Sequence, residues 1–143
     1  MKPNEIISPD HVRWVLGIES EFNFFIEEKE FIILTGTDEL MEYCQENFAG
    51  WLGDATDPAE EGFAIDIHRF AYLAIEKCAA EGYAIVLNFG YKTVDIWHRP
   101  ISRLKNPLTI QCTEPNLSGY QPDMLHAQLA AIAWVYDKIQ EGK

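Results

Sequence analysis

The run Tyr83-Ala84-Ile85-Val86-Leu87-Asn88-Phe89 limits what this chain can fold into more than any other segment. It is nearly continuously apolar, rich in β-forming residues and too short for a stable helix, so it reads as a strand covered on both faces. A strand of that kind needs neighbours along its edges and helices above and below it. The rest of the 143-residue chain, 48% hydrophobic, has to supply them, and that length suits one globular domain over 1–143.

The flanking patterns supply both element types. Ser8 is a good helix cap, Pro9 and Asp10 suit a first turn, Val12, Val15 and Leu16 form a buried side with Trp14, and Gly17 is the stop. Phe22, Phe24 and Ile26 alternate with polar residues and are followed by Phe31-Ile32-Ile33-Leu34, which predicts a β-hairpin turning at Glu28 and Lys29. Thr37 or Thr35 caps a helix over 38–49 that Gly50 closes. Leu40, Met41, Tyr43, Cys44 and Phe48 take one side of it, and Asp38, Glu39, Glu42 and Glu46 the other.

Residues 53–62 have loop composition, and Phe63, Ile67, Phe70, Ala74 and Cys78 predict a helix over 63–81 that ends at Gly82. After the apolar run come strands at 92–97 and 108–113, separated by a basic loop over 99–107. Leu125, Leu129, Ile132, Tyr136 and Ile139, with Ala127, Ala130 and Ala131, predict a last helix over 122–140 buried on most of its girth. The expected class is α+β in the order α-β-β-α-α-β-β-β-α, a mostly antiparallel sheet of about five strands with about four helices.

Charge divides the chain. Residues 1–66 hold 16 acids and 3 bases (Lys2, Arg13, Lys29), a net of −13, whereas residues 67–143 hold 7 acids and 8 bases, a net of +1. The whole-chain net charge of −12 disfavours nucleic acid, because phosphate binding requires clustered cations. No apolar stretch approaches a membrane span, and Met1-Lys2-Pro3-Asn4-Glu5 lacks the apolar run of a secretory signal, so a cytoplasmic protein is expected. The odd trio Cys44, Cys78 and Cys112 fits a reducing compartment, each as a small buried hydrophobe.

Catalytic and metal signals are weak. His11, His68, His98 and His126 are scattered, and the Asp66–His68 and Asp123–His126 pairs lack a third ligand, so no metal is expected. Ser118-Gly119, Cys112 and Cys44 have no nucleophile context, and Gly50-Trp51-Leu52-Gly53 is not a phosphate loop. Neighbouring carboxylates such as Glu60-Glu61 point in different directions, and residues 54–61 lack the spacing of a calcium loop. The expectation is a non-enzyme without a cofactor.

What remains is a surface. Glu39, Glu42 and Glu46 with Tyr43, then Trp51 with Asp54, Asp57, Glu60 and Glu61, combine acidic steering with aromatic anchors, which predicts a basic protein partner. A small acidic domain of this type suits an immunity protein or antitoxin that inhibits a cationic toxin such as a nuclease. Trp51 also fits a homodimer contact. The alternative expectation is a small enzyme or anionic-ligand binder built on residues 92–105, where Lys92, Trp97, His98, Arg99, Arg103 and Lys105 give a net of +3 after Asp95 is subtracted.

Overall fold

A computed structural model describes residues 6–27, 30–48, 62–98, 108–111 and 124–142. The chain is α+β and forms two compact units, Ser8–Phe70 and Ala71–Lys143 together with Met1–Ile7. Most of the expected loop over 53–62, the basic loop over 99–107, the expected strand end at 112–113 and the first two residues, 122–123, of the expected last helix lie outside the described residues, as do Glu28 and Lys29 of the predicted hairpin turn.

In the first unit, helix α1 (Pro9–Leu16) starts where the sequence places it. The Ser8 hydroxyl accepts from the His11 N–H at 3.4 Å, and His11 Nδ1 accepts from the Ser8 N–H at 2.9 Å. This is a reciprocal cap in which a histidine fills the position more often held by Glu or Gln. Gly17 ends the helix at φ +68, donating its N–H to the Arg13 carbonyl at 2.8 Å.

Strands β1 (Phe22–Glu27), β2 (Phe31–Gly36) and β3 (Phe63–Asp66) form an antiparallel sheet with β2 in the centre. Ile32 and Leu34 are wholly buried on one face, and Phe31, Ile33 and Ala64 form a buried cluster on the other. Helix α2 (Asp38–Phe48) begins at Thr37, whose hydroxyl accepts from the Leu40 N–H at 3.3 Å, and it buries Leu40, Cys44 and Phe48.

Residues 63–66 are a strand rather than the first turn of a helix. Phe63 pairs with Leu34, Ala64 with Ile33 and Ile65 with Ile32. Helix α3 (Ile67–Ala80) starts afterwards, because Asp66 Oδ1 accepts from the His68 and Arg69 N–H groups at 2.8 and 3.1 Å and so caps it. The spacing from Phe63 to Ile67 imitates a helical step across that boundary. From Ile67 onward the predicted stripe holds, with Ile67, Phe70, Ala74 and Cys78 all buried.

The second unit holds β4 (Tyr83–Asn88), β5 (Thr93–His98) and β6 (Leu108–Gln111), antiparallel in that order, and helix α4 (Met124–Glu141). The described strands thus number six, close to the expected five or so, in two antiparallel sheets of three. The helix buries Leu125, Ala127, Leu129, Ala131, Ile132 and Val135, as its apolar spacing predicts. It lies against the sheet face that carries Tyr83, Ile85, Val94 and Ile96, where the Trp134 ring meets Tyr83 edge-on at 6.3 Å.

The opposite face of that sheet is exposed at Val86 and Trp97. Val86 is 47% exposed, so β4 is not the doubly covered central strand that its composition predicts. Among the described strands β5 alone pairs with it, which leaves β4 at an edge. The doubly covered strand is β2, whose apolar run is shorter but which has a strand on each side.

Gly17 has little room for a side chain. An added Cβ would sit 3.0 Å from the Tyr43 hydroxyl, on a residue already at φ +68. Gly17→Ala is expected to destabilise the protein by about 1–2 kcal/mol, the cost of a left-handed non-glycine residue. Urea unfolding of Gly17→Ala in wild-type and Tyr43→Phe backgrounds checks this; an unchanged midpoint in the wild-type background contradicts it.

Candidate functional site

Helix α2 presents four of the exposed acids of the first unit along one element. Burying Leu40, Cys44 and Phe48 at steps of four fixes the rotation of the helix, and Asp38, Glu39, Glu42 and Glu46 are then held exposed. Glu39 and Glu46 are seven residues apart, about 10 Å along the axis, with Glu42 between them on the same side. Asp38 and Glu39 lie in the first turn, where the helix dipole favours acids, but the last turn contains no base and Glu46 approaches the negative end of the helix.

No described cation answers this line. Among the described residues, no ion pair or side-chain hydrogen bond involves Glu39, Glu42 or Glu46. Arg13 is held elsewhere, donating to the Ile18 and Ser20 carbonyls at 3.2 and 3.0 Å while its guanidinium lies 5.1 Å over the Phe22 ring. Arg69, exposed at the start of α3, is the other described base of this unit.

Tyr43 faces inward more than an interface anchor would. It is half-buried, its hydroxyl donates to the Leu16 carbonyl at 2.6 Å, and its ring meets Phe48 edge-on at 5.9 Å. It therefore ties α2 to the end of α1. Burial first, then the adjacent Cys44 and Glu19, hold its phenol above the ordinary range. Glu19, exposed in the loop 17–21, thus acts electrostatically on Tyr43, a coupling that no periodicity in that loop announces. Trp51, Asp54, Asp57, Glu60 and Glu61 lie outside the described residues.

The candidate patch over 92–105 is dispersed. Lys92, at φ +53, sits in the β4–β5 turn, and His98 ends β5 at the opposite end of the hairpin, about 20 Å away along an extended strand. Trp97 lies on the face away from α4 and His98 on the covered one, where its ring stacks on Tyr83 at 4.1 Å. Strand alternation thus separates neighbours that a linear reading groups together. Arg99, Arg103 and Lys105 lie outside the described residues.

Among the other candidates for chemistry, Cys112, Ser118 and Asp123 lie outside the described residues, and the His68 side chain is exposed. His11 completes the α1 cap, the His68 N–H donates to Asp66, and His126 is buried within α4. Among the described residues, no three His, Cys, Asp or Glu side chains come together as metal ligands. No helix among them is long and apolar enough to cross a membrane. No protein-family model matches the chain, and no curated protein or solved structure is significantly similar to it.

Cys44 and Cys78 are free and buried, and burial pushes their thiols up from 9.0 to about 11 and about 12. Below pH 9 both thiols are protonated in the folded and the unfolded chain, so their contribution to stability is fully present there. As pH rises toward 11 and 12 the unfolded chain ionises first and binds fewer protons, so stability falls. Unfolding free energies measured from pH 8 upward should decline more steeply for the wild type than for Cys44→Ala/Cys78→Ala. Parallel declines would contradict this account of the thiols.

Proposed function

We propose that the chain is a non-enzymatic binding protein whose α2 surface docks a basic protein. The observation that carries this reading is the exposed line Glu39–Glu42–Glu46, extending to the negative end of its helix with no described cation beside it. Carboxylates four residues apart repel, and an acid in the last helical turn opposes the dipole, each at a few tenths of a kcal/mol. Such a line disfavours the helix that carries it. A cationic partner supplies the missing counter-charge and steers by the same field.

The partner class most consistent with these features is a cationic toxin such as a nuclease, with this chain as its immunity-type or antitoxin-type inhibitor. A nuclease must display a positive groove to hold phosphates, and an acidic helix of this length is complementary to such a groove. The reading assigns recognition to Glu39, Glu42 and Glu46, assisted by Glu19, and needs no cofactor, metal or catalytic group.

Capture on the immobilised wild-type chain, compared with Glu39→Lys/Glu42→Lys/Glu46→Lys, tests the proposal. The wild type should retain one basic protein in stoichiometric amount, and the triple variant should lose it. Association of the wild-type pair should slow at least tenfold between low and physiological salt. Capture that the triple reversal leaves intact, or a retained protein without net positive charge, would overturn the assignment.

A further inference from the structure

Exposed apolar side chains concentrate on one sheet, with Val86 and Trp97 on the face away from α4, Phe89 and Tyr91 in a turn, and Leu108, which pairs with Ile96, on the α4 side. Seven large hydrophobic residues are exposed among the described residues, and five of them (Val86, Phe89, Tyr91, Trp97 and Leu108) belong to the β4–β5–β6 sheet or the turn joining β4 to β5. The register sets Ala84 opposite Trp97 and Val86 opposite Asp95, so Ala84, Val86 and Trp97 share the face turned away from α4, with Val86 diagonal to Trp97. Trp97 is 37% exposed there. Asp95 on the same face accepts a hydrogen bond from Thr109 at 2.8 Å.

Among the described residues the β4 edge of this sheet is equally unprotected. Natural edge strands are blunted by charge, proline, a bulge or shortness, because a bare row of N–H and C=O groups recruits another strand. From Tyr83 to Asn88, β4 has six residues with no charge, no proline and no glycine, in unbroken register with β5. The other described edges are blunted: β6 has four residues, β3 has four and ends in Asp66, and β1 ends in Glu27 within the acidic half.

Charge selects what covers β4. A cationic or an anionic partner finds no counter-charge along this strand, and residues 67–143 balance 7 acids against 8 bases. In a second copy the net −13 of residues 1–66 lies outside the pairing strand and residues 67–143 sum to +1, so the β4 edge itself brings no like charges face to face, whereas the acidic half, with 16 acids and 3 bases, would set like against like.

We infer that β4 is a self-association edge, and that two copies pair their β4 strands antiparallel about a two-fold axis centred on Ile85. In that register Ala84 of one copy opposes Val86 of the other. Trp97, Ala84 and Val86 of both copies then form one continuous apolar stripe on the face away from α4, and the two three-stranded sheets join into a sheet of six. The surface is distinct from the α2 line, so either assignment can fail without the other.

Sedimentation equilibrium of the full chain tests this, with Val86→Lys and Trp97→Lys as edge and face variants and Gln140→Lys, exposed on α4, as the charge-matched control. The wild type and Gln140→Lys should be dimeric at about 100 µM, and Val86→Lys should raise the dissociation constant at least tenfold. Trp97→Lys should act in the same direction and keeps the test open if Val86→Lys does not fold. Amide exchange over residues 83–88 should slow as protein concentration rises. A wild-type monomer at that concentration, a dimer untouched by both folded variants, or protection of β4 that appears only when a different protein is added would overturn the inference.

Discussion

Burial of β2 on both faces is the constraint from which the first unit follows. Ile32 and Leu34 are inaccessible on one side, and Phe31 and Ile33 are covered on the other. Each such side chain contributes about 1.5–3 kcal/mol relative to exposure. The strand can be covered in this way only with β1 and β3 along its edges and a helix seated above it. Leu40, whose side chain would lie within 2.7 Å of a Cβ added at Gly36, fixes how closely α2 approaches. Once Leu40, Cys44 and Phe48 point toward the sheet, α2 has no rotational freedom left, and its acids face outward as a geometric consequence.

Those acids are where local and global preferences part. The fold gains from the apolar side of α2 and loses from its polar side, because Glu42 and Glu46 stand one turn apart and Glu46 approaches the wrong end of the dipole. Natural sequences are locally consistent with their folds except where another demand intervenes. The proposal of a cationic partner rests on that inconsistency, and it makes the acidity of residues 1–66 a property of an interface rather than of solubility alone. At its β4 edge the second unit carries the opposite kind of surface, uncharged and apolar, which is why its inferred occupant is a like copy.

Much of this fold is legible in the sequence, because caps and apolar stripes are written in residues close along the chain. Ser8, Pro9 and Gly17 mark α1, Thr37 marks the start of α2, and the alternating steps from Leu125 to Ile132 mark the buried side of α4. What escapes the sequence depends on distant partners. Phe63 continues the spacing of α3 yet belongs to a strand, because Leu34 waits opposite it. The runs at 31–34 and 83–89 look alike, and only pairing decides that the first is central and the second an edge. At the site, the exposure of Glu39, Glu42 and Glu46 follows from helical period. The inward hydrogen bond of Tyr43 to Leu16, 27 positions away, and the electrostatic influence of Glu19 on its phenol do not.

The central claim is that no cation among the described residues compensates the α2 acids. It is tested most directly by the unfolding free energy of Glu42→Gln/Glu46→Gln against wild type at low ionic strength. Neutralising two repelling carboxylates at the negative end of a helix should stabilise the protein by about 0.5–1 kcal/mol, and the difference should shrink as salt is added. A variant less stable than the wild type would show that a cation of the same chain already answers these acids, and would contradict the account.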